Sequence, residues 1–114
     1  MHSQAAARMR SAALLGKLDK EQPFVITIPA NRLHAEIPEQ ERVMIQGVID
    51  VFWEEDDGLV ILDYKTDRVT KPEELTDRYT AQLNYYQEAL EQITGRKVKE
   101  KILYSFALMQ EIPV

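Results

Sequence analysis

At 114 residues, with 45% apolar and 29% charged side chains, the chain has the make-up of one soluble globular domain with a single modest core. No apolar run approaches the roughly 20 residues of a membrane helix, Arg8 and Arg10 break up any signal-like start, and the lack of cysteine excludes disulfides and thiolate metal sites, so a cytoplasmic location is expected. The net charge of -5 argues mildly against a free-standing DNA binder, although Arg8/Arg10, Arg68/Lys71 and Arg96/Lys97/Lys99/Lys101 cluster locally and a metal site would itself need carboxylates.

Gln4 to Leu18, rich in Ala, Leu, Met and Arg, predicts a helix. Phe24 to Ile28 is a short β-type run between Pro23 and Pro29, and the polar stretch Ala30 to Gln40, with Pro38 in it, predicts a loop. Arg42 to Trp53 follows as a long strand with Val43, Ile45, Ile49, Val51 and Trp53 on one parity. Glu55-Asp56-Asp57-Gly58 supplies turn chemistry, and Leu59-Val60-Ile61-Leu62 resumes at once, so the two runs predict a hairpin.

Pro72-Glu73-Glu74 reads as the first turn of a helix, with the acids near the positive end of its dipole. Leu75, Tyr79, Leu83, Tyr86, Leu90 and Ile93 then step by three and four until Gly95 closes it. Val98 to Met109 alternates as a last strand, with Lys97, Lys99 and Lys101 as its solvated edge. The expected order is α-β-β-β-α-β in an α/β domain.

Alternation along a strand sends Asp63 and Lys65 to one face. A two-residue Asp57-Gly58 turn would set Asp50 opposite Lys65, and a four-residue loop from Glu55 to Gly58 would set it opposite Asp63. Either even-length connection joins all three on one face; an odd one would not. Two carboxylates and a lysine crowded together are costly to desolvate, and like charges opposed across a sheet repel. A divalent cation resolves the conflict, and hard oxygen ligands suit Mg²⁺. The alternative is that Asp63 and Lys65 are ordinary residues at a strand end and Asp50 is satisfied by backbone donors.

Gln82 and Tyr86, four apart, share a helical face. Tyr86 belongs to the apolar stripe, so core packing explains it unaided. An amide at Gln82 is less easily explained, and would bind a nucleotide or hold the lysine.

Gln46-Gly47-Val48-Ile49-Asp50, Leu62-Asp63-Tyr64-Lys65-Thr66-Asp67 and Gln82-Leu83-Asn84-Tyr85-Tyr86 resemble the Gly-x-x-Asp, Asp-Tyr-Lys-Thr and Gln-x-x-x-Tyr motifs of RecB-like PD-(D/E)XK nucleases. Each is weak alone; in this order on strand, strand and helix they are specific. Glu21-Gln22-Pro23-Phe24, Asp63 to Val69 and Leu103-Tyr104-Ser105-Phe106 extend the resemblance to bacterial AddAB-type helicase–nucleases. It implies a restriction-endonuclease-like core with a mixed central sheet. It further implies Asp50 and Asp63 as metal ligands with the Tyr64 carbonyl as a third, Lys65 as the catalytic lysine, and Gln82 and Tyr86 in support. Mg²⁺, with Mn²⁺ able to substitute, would serve hydrolysis of single-stranded DNA during double-strand-break processing, beside an AddB-like partner subunit.

The family also carries a metal-site His on an upstream helix. His2 and His34 do not sit in that context, with His34 reading as a solvated loop residue, and no ATP-binding Gly-rich motif is present. The expectation is therefore that residues 1–114 are one domain, the C-terminal nuclease core of a larger helicase–nuclease, weak or inactive alone. Two competitors remain: a non-catalytic DNA-end-binding or subunit-docking module that keeps the scaffold, and a stand-alone structure-selective nuclease.

Overall fold

The computed structural model describes residues 4–114. They form helix α1 (Gln4–Leu14), strand β1 (Leu18–Pro29), a single 3₁₀ turn (Ala30–Arg32), β2 (Arg42–Glu55), β3 (Gly58–Lys65), α2 (Pro72–Thr94), β4 (Val98–Ser105) and β5 (Gln110–Pro113). The strands make one mixed sheet in the order β1-β2-β3-β4-β5. Only β3 and β4 run parallel, as the α2 crossover between them requires; the other three pairings are antiparallel. This is the α/β class that the motifs implied, with one strand more.

The differences have local causes. Helix α1 ends at Leu14 rather than Leu18 because Gly16, at φ 70, reverses the chain and lets the Lys17 N–H bond back to the Ala12 carbonyl at 2.8 Å. β1 begins at Leu18 and runs straight through Pro23. It lies at the sheet edge, where a residue without an N–H is tolerated. The single strand expected over Val98–Met109 is two strands. A turn over residues 106–109 divides them, fixed where the buried Ser105 Oγ accepts the Leu108 N–H at 3.0 Å and Met109 takes φ 51.

Each helix covers one face of the sheet. Leu75, Leu83, Tyr86, Ala89 and Leu90 of α2 pack on Phe24, Ile26, Ile49, Phe52, Ile61 and Leu103. Ala5 and Ala12 of α1 pack on Val51, Trp53, Val60, Leu62 and Tyr104. The Arg8 guanidinium anchors α1, donating to both oxygens of Glu55 at 2.9 Å, while Glu55 Oε2 also accepts the Trp53 indole N–H at 2.8 Å. Arg8 holds the Glu55 carboxyl down at about 2.

One distortion in this frame sets up the site. Ile49 faces α2, whereas Val51, two residues on, faces α1. The one-parity stripe expected along β2 is thus split between the two layers at Asp50. In β1 the same switch separates Leu18 from Phe24, across Glu21, whose φ of 53 is rare for a residue with a side chain. Pairing between these strands passes from Lys20↔Val51 to Gln22↔Ile49, leaving Glu21 and Asp50 facing each other at the break.

Candidate active site

The β2–β3 ladder pairs Glu55 with Gly58 across an Asp56-Asp57 turn and runs to Val51↔Leu62. Continuing that register sets Asp50 against Asp63, the even-length arrangement expected of a loop bounded by Glu55 and Gly58. The ladder stops there. Asp50 Oδ2 accepts the Tyr64 N–H at 3.0 Å, so a side chain replaces a backbone carbonyl and the strands open at the site.

Asp63 comes from the all-buried start of β3 and is 2% exposed. Its Oδ2 lies 2.7 Å from Lys65 Nζ, an ion pair whose angle leaves that oxygen without a directed hydrogen bond. Burial first, and the neighbouring Asp50 carboxyl second, raise the Asp63 carboxyl while Lys65 pulls it down, and the balance leaves it pushed up to about 6. Lys65 is also held from α2, donating to Gln82 Oε1 at 3.0 Å. Its ammonium sits 3.8 Å from the centre of the Tyr79 ring, which adds a cation–π contact. Tyr79 is fixed in turn by its O–H, which donates to Asp67 Oδ2 at 2.8 Å, an oxygen shared with Arg78 at 3.0 Å.

Tyr86 is both core and site. Its ring meets Phe24 edge-on at 5.4 Å, and burial together with the charges of Asp63 and Asp50 pushes its hydroxyl up to about 12. Gly47 makes room for this pair: a Cβ there would stand 3.1 Å from the Phe24 ring and 3.7 Å from Tyr86. Tyr64 turns to the other face, where its ring packs with the α1 layer.

Asp50, Asp63, Lys65, Gln82 and Tyr86 are therefore all drawn to the point where β2 and β3 part. Among the described residues no three His, Cys, Asp or Glu side chains converge, so the side-chain donors for a metal are the two aspartates. They fit a hard divalent cation: two neighbouring carboxylates repel when both ionise, and Asp63 Oδ2 is buried with no directed donor.

Other candidates fall outside the site. His34 is exposed in the loop after the 3₁₀ turn, with Glu36 at 4.0 Å, and His2 lies outside the described residues. Of the basic edge expected at Lys97, Lys99 and Lys101, Lys97 is exposed, whereas Lys99 and Lys101 are half-buried and paired. Lys99 pairs with Glu55 and Asp57, Arg96 with Glu54, and Lys101 donates to Asn84 Oδ1 and Gln87 Oε1. Sequence reasoning missed Tyr79, although it precedes Gln82 by three residues and so shares its helical face.

The chain matches the family described as the PD-(D/E)XK nuclease superfamily over residues 2–111. It is also similar to curated proteins named as ATP-dependent helicase/nuclease subunits. That of Clostridium botulinum (strain Hall) is 48% identical over 101 residues, covering 85% of this chain and 8% of the relative. That of C. botulinum (strain Loch Maree) is 45% identical with the same coverage, and that of Thermoanaerobacter sp. (strain X514) is 48% identical over 92 residues, covering 76% and 8%. The chain thus spans about 8% of the length of these relatives.

Proposed function

The chain belongs to the PD-(D/E)XK nuclease superfamily, and from that premise we propose that it is a divalent-cation-dependent nuclease unit hydrolysing phosphodiesters of single-stranded DNA. The observation that carries this reading is the contact of Lys65 Nζ with Asp63 at 2.7 Å and with Gln82 at 3.0 Å, beside an Asp50–Asp63 pair that is costly unless a cation joins it. Asp50, Asp63 and the Tyr64 carbonyl would hold Mg²⁺, with Mn²⁺ as a substitute. A cation there would supply Lewis-acid neutralisation of the charge developing on the attacked phosphate.

The protein's own groups do the rest. Asp63 and Gln82 fix the Lys65 ammonium, which donates to a phosphate oxygen and orients the attacking water. The Tyr79 ring beneath it restricts the lysine to that direction. Tyr86 and Phe24 wall the site on the α2 side and limit water on that side. As the water oxygen bonds to phosphorus it gives up a proton to solvent, the bond from phosphorus to the leaving sugar oxygen breaks, that oxygen takes up a proton from solvent, and the positioned charges stabilise the transition state.

The names of the relatives extend the reading to a setting. In a longer AddA-type helicase–nuclease, this unit would trim single strands fed to it during double-strand-break processing for recombination. Its partner would be an AddB-like protein and its location the cytoplasm. No helix among the described residues is long and apolar enough to cross a membrane.

Incubating the chain with a labelled single-stranded oligonucleotide in Mg²⁺ or Mn²⁺, with EDTA as control, tests the proposal. Slow, cation-dependent cleavage that Asp63→Asn reduces at least about 100-fold is expected. Cleavage unchanged by Asp63→Asn would refute the assigned centre. Strand binding without any cleavage would favour a DNA-end-binding module.

A further inference from the structure

Phe106 is half in solvent (50% exposed) although it is not on a loose loop. It opens the turn between β4 and β5, its N–H donates to the Lys65 carbonyl at 3.1 Å, and the Ser105–Leu108 bond pins the residues that follow. The ring lies nearly parallel to Tyr64, with centroids 5.7 Å apart and planes 23° apart, and Tyr104 meets it edge-on at 5.2 Å. An apolar ring held rigidly in water loses the benefit of burial, so something of matching chemistry is expected to cover it.

The backbone connections say what that is. The rings of Tyr64 and Phe106 lie on the α1 side of the sheet, but the Tyr64 N–H is bound by Asp50 and the Phe106 N–H by the Lys65 carbonyl, so the main chain ties the ring stack to the groups proposed to cleave phosphodiesters. A cavity of about 260 Å³ is lined by Lys20, Glu21, Asp50, Val51 and Tyr64, so Tyr64, against which Phe106 stacks, borders the same space as Asp50. It leaves room for part of one nucleotide, with the Lys20 ammonium available to a neighbouring phosphate against the opposing charge of Glu21.

We propose that Phe106, stacked on Tyr64, is a platform for one unpaired base of the strand being cut, and that it restricts the site to single strands. This rests on the nuclease reading above. A paired base within a duplex has both faces covered by its neighbours, whereas an unpaired base adds to an aromatic stack whatever its identity. The site would then recognise a single strand through a free π-face, without reading sequence.

The test compares binding, by fluorescence anisotropy in Ca²⁺, of labelled oligodeoxythymidylate with that of an abasic strand of equal length. The unaltered chain should prefer the strand with bases by roughly 5- to 100-fold. Phe106→Leu, apolar but without a ring, should bind both strands alike, and Phe106→Trp should restore the preference. With 5-iodouracil in the oligonucleotide, irradiation of the unaltered chain should yield an adduct at Phe106 or Tyr64. A preference that survives Phe106→Leu, or adducts confined to other residues, would overturn the platform. If the unaltered chain cleaves the strand in Mg²⁺ yet shows no preference for bases, the platform fails and the nuclease reading stands. If it neither binds nor cleaves, both fail.

Discussion

Asp50 binds the main chain of Tyr64: its Oδ2 accepts the Tyr64 N–H at 3.0 Å, just where the β2–β3 ladder ends. The carboxylate therefore has a structural duty as well as a proposed chemical one, and the two can be separated. Asp50→Asn keeps an acceptor oxygen and should unfold within about 0.5 kcal/mol of the parent in a urea titration. Asp50→Ala leaves a part-buried N–H unpaired and should cost about 1–3 kcal/mol. Both should lose cation binding.

Asp63 sets a pH dependence of unusual sign. Its carboxyl is raised from 3.8 to about 6, so between those values the folded chain keeps a proton that the unfolded chain has released. Stability from this group is therefore full below about pH 4, falls as pH rises to about 6, and stays lower above that. The loss is on the order of 3 kcal/mol at most. Asp63→Asn should remove this slope, visible as a flatter plot of unfolding free energy against pH in EDTA.

Gly47 is required by space. Its Cβ position lies 3.1 Å from the Phe24 ring, which in turn holds Tyr86. Gly47→Ala should force Phe24 aside and destabilise the domain by about 1–3 kcal/mol in thermal or chemical unfolding. It should also lower cleavage through Tyr86.

Gln82 and Tyr79 fix the direction of Lys65. Gln82→Leu should reduce cleavage roughly 10- to 100-fold with the melting temperature little changed, as expected of a residue that acts by orienting another. Tyr79→Phe keeps the ring under the ammonium and should be milder than Tyr79→Leu. Equal effects of the two would remove the cation–π contact from consideration.

The grouping of the candidate residues was more legible in the sequence than the sheet was. Parity and an even turn were enough to unite Asp50, Asp63 and Lys65, because alternation is fixed by strand geometry whatever the exact turn. The four-residue spacing put Gln82 and Tyr86 on one helical face for the same kind of reason. Parity failed along β2, where Ile49 and Val51 face opposite layers. That switch depends on the paired distortion at Glu21 and Asp50, which involves two strands and a rare φ value, and neither is written in a local pattern. The split of the last strand likewise turns on the Ser105 hydroxyl capturing the Leu108 N–H. Alternating Tyr104, Phe106 and Leu108 gave no sign of it. Tyr79 went unassigned because its stripe position already explained it as core.

The most direct measurement is calorimetric titration of the chain with Mn²⁺ at pH 7.5. One ion should bind per chain, with binding lost in Asp50→Asn and in Asp63→Asn and retained in Lys65→Met. No binding, or binding that survives Asp63→Asn, would contradict the assignment of Asp50 and Asp63 as the cation site of a nuclease centre.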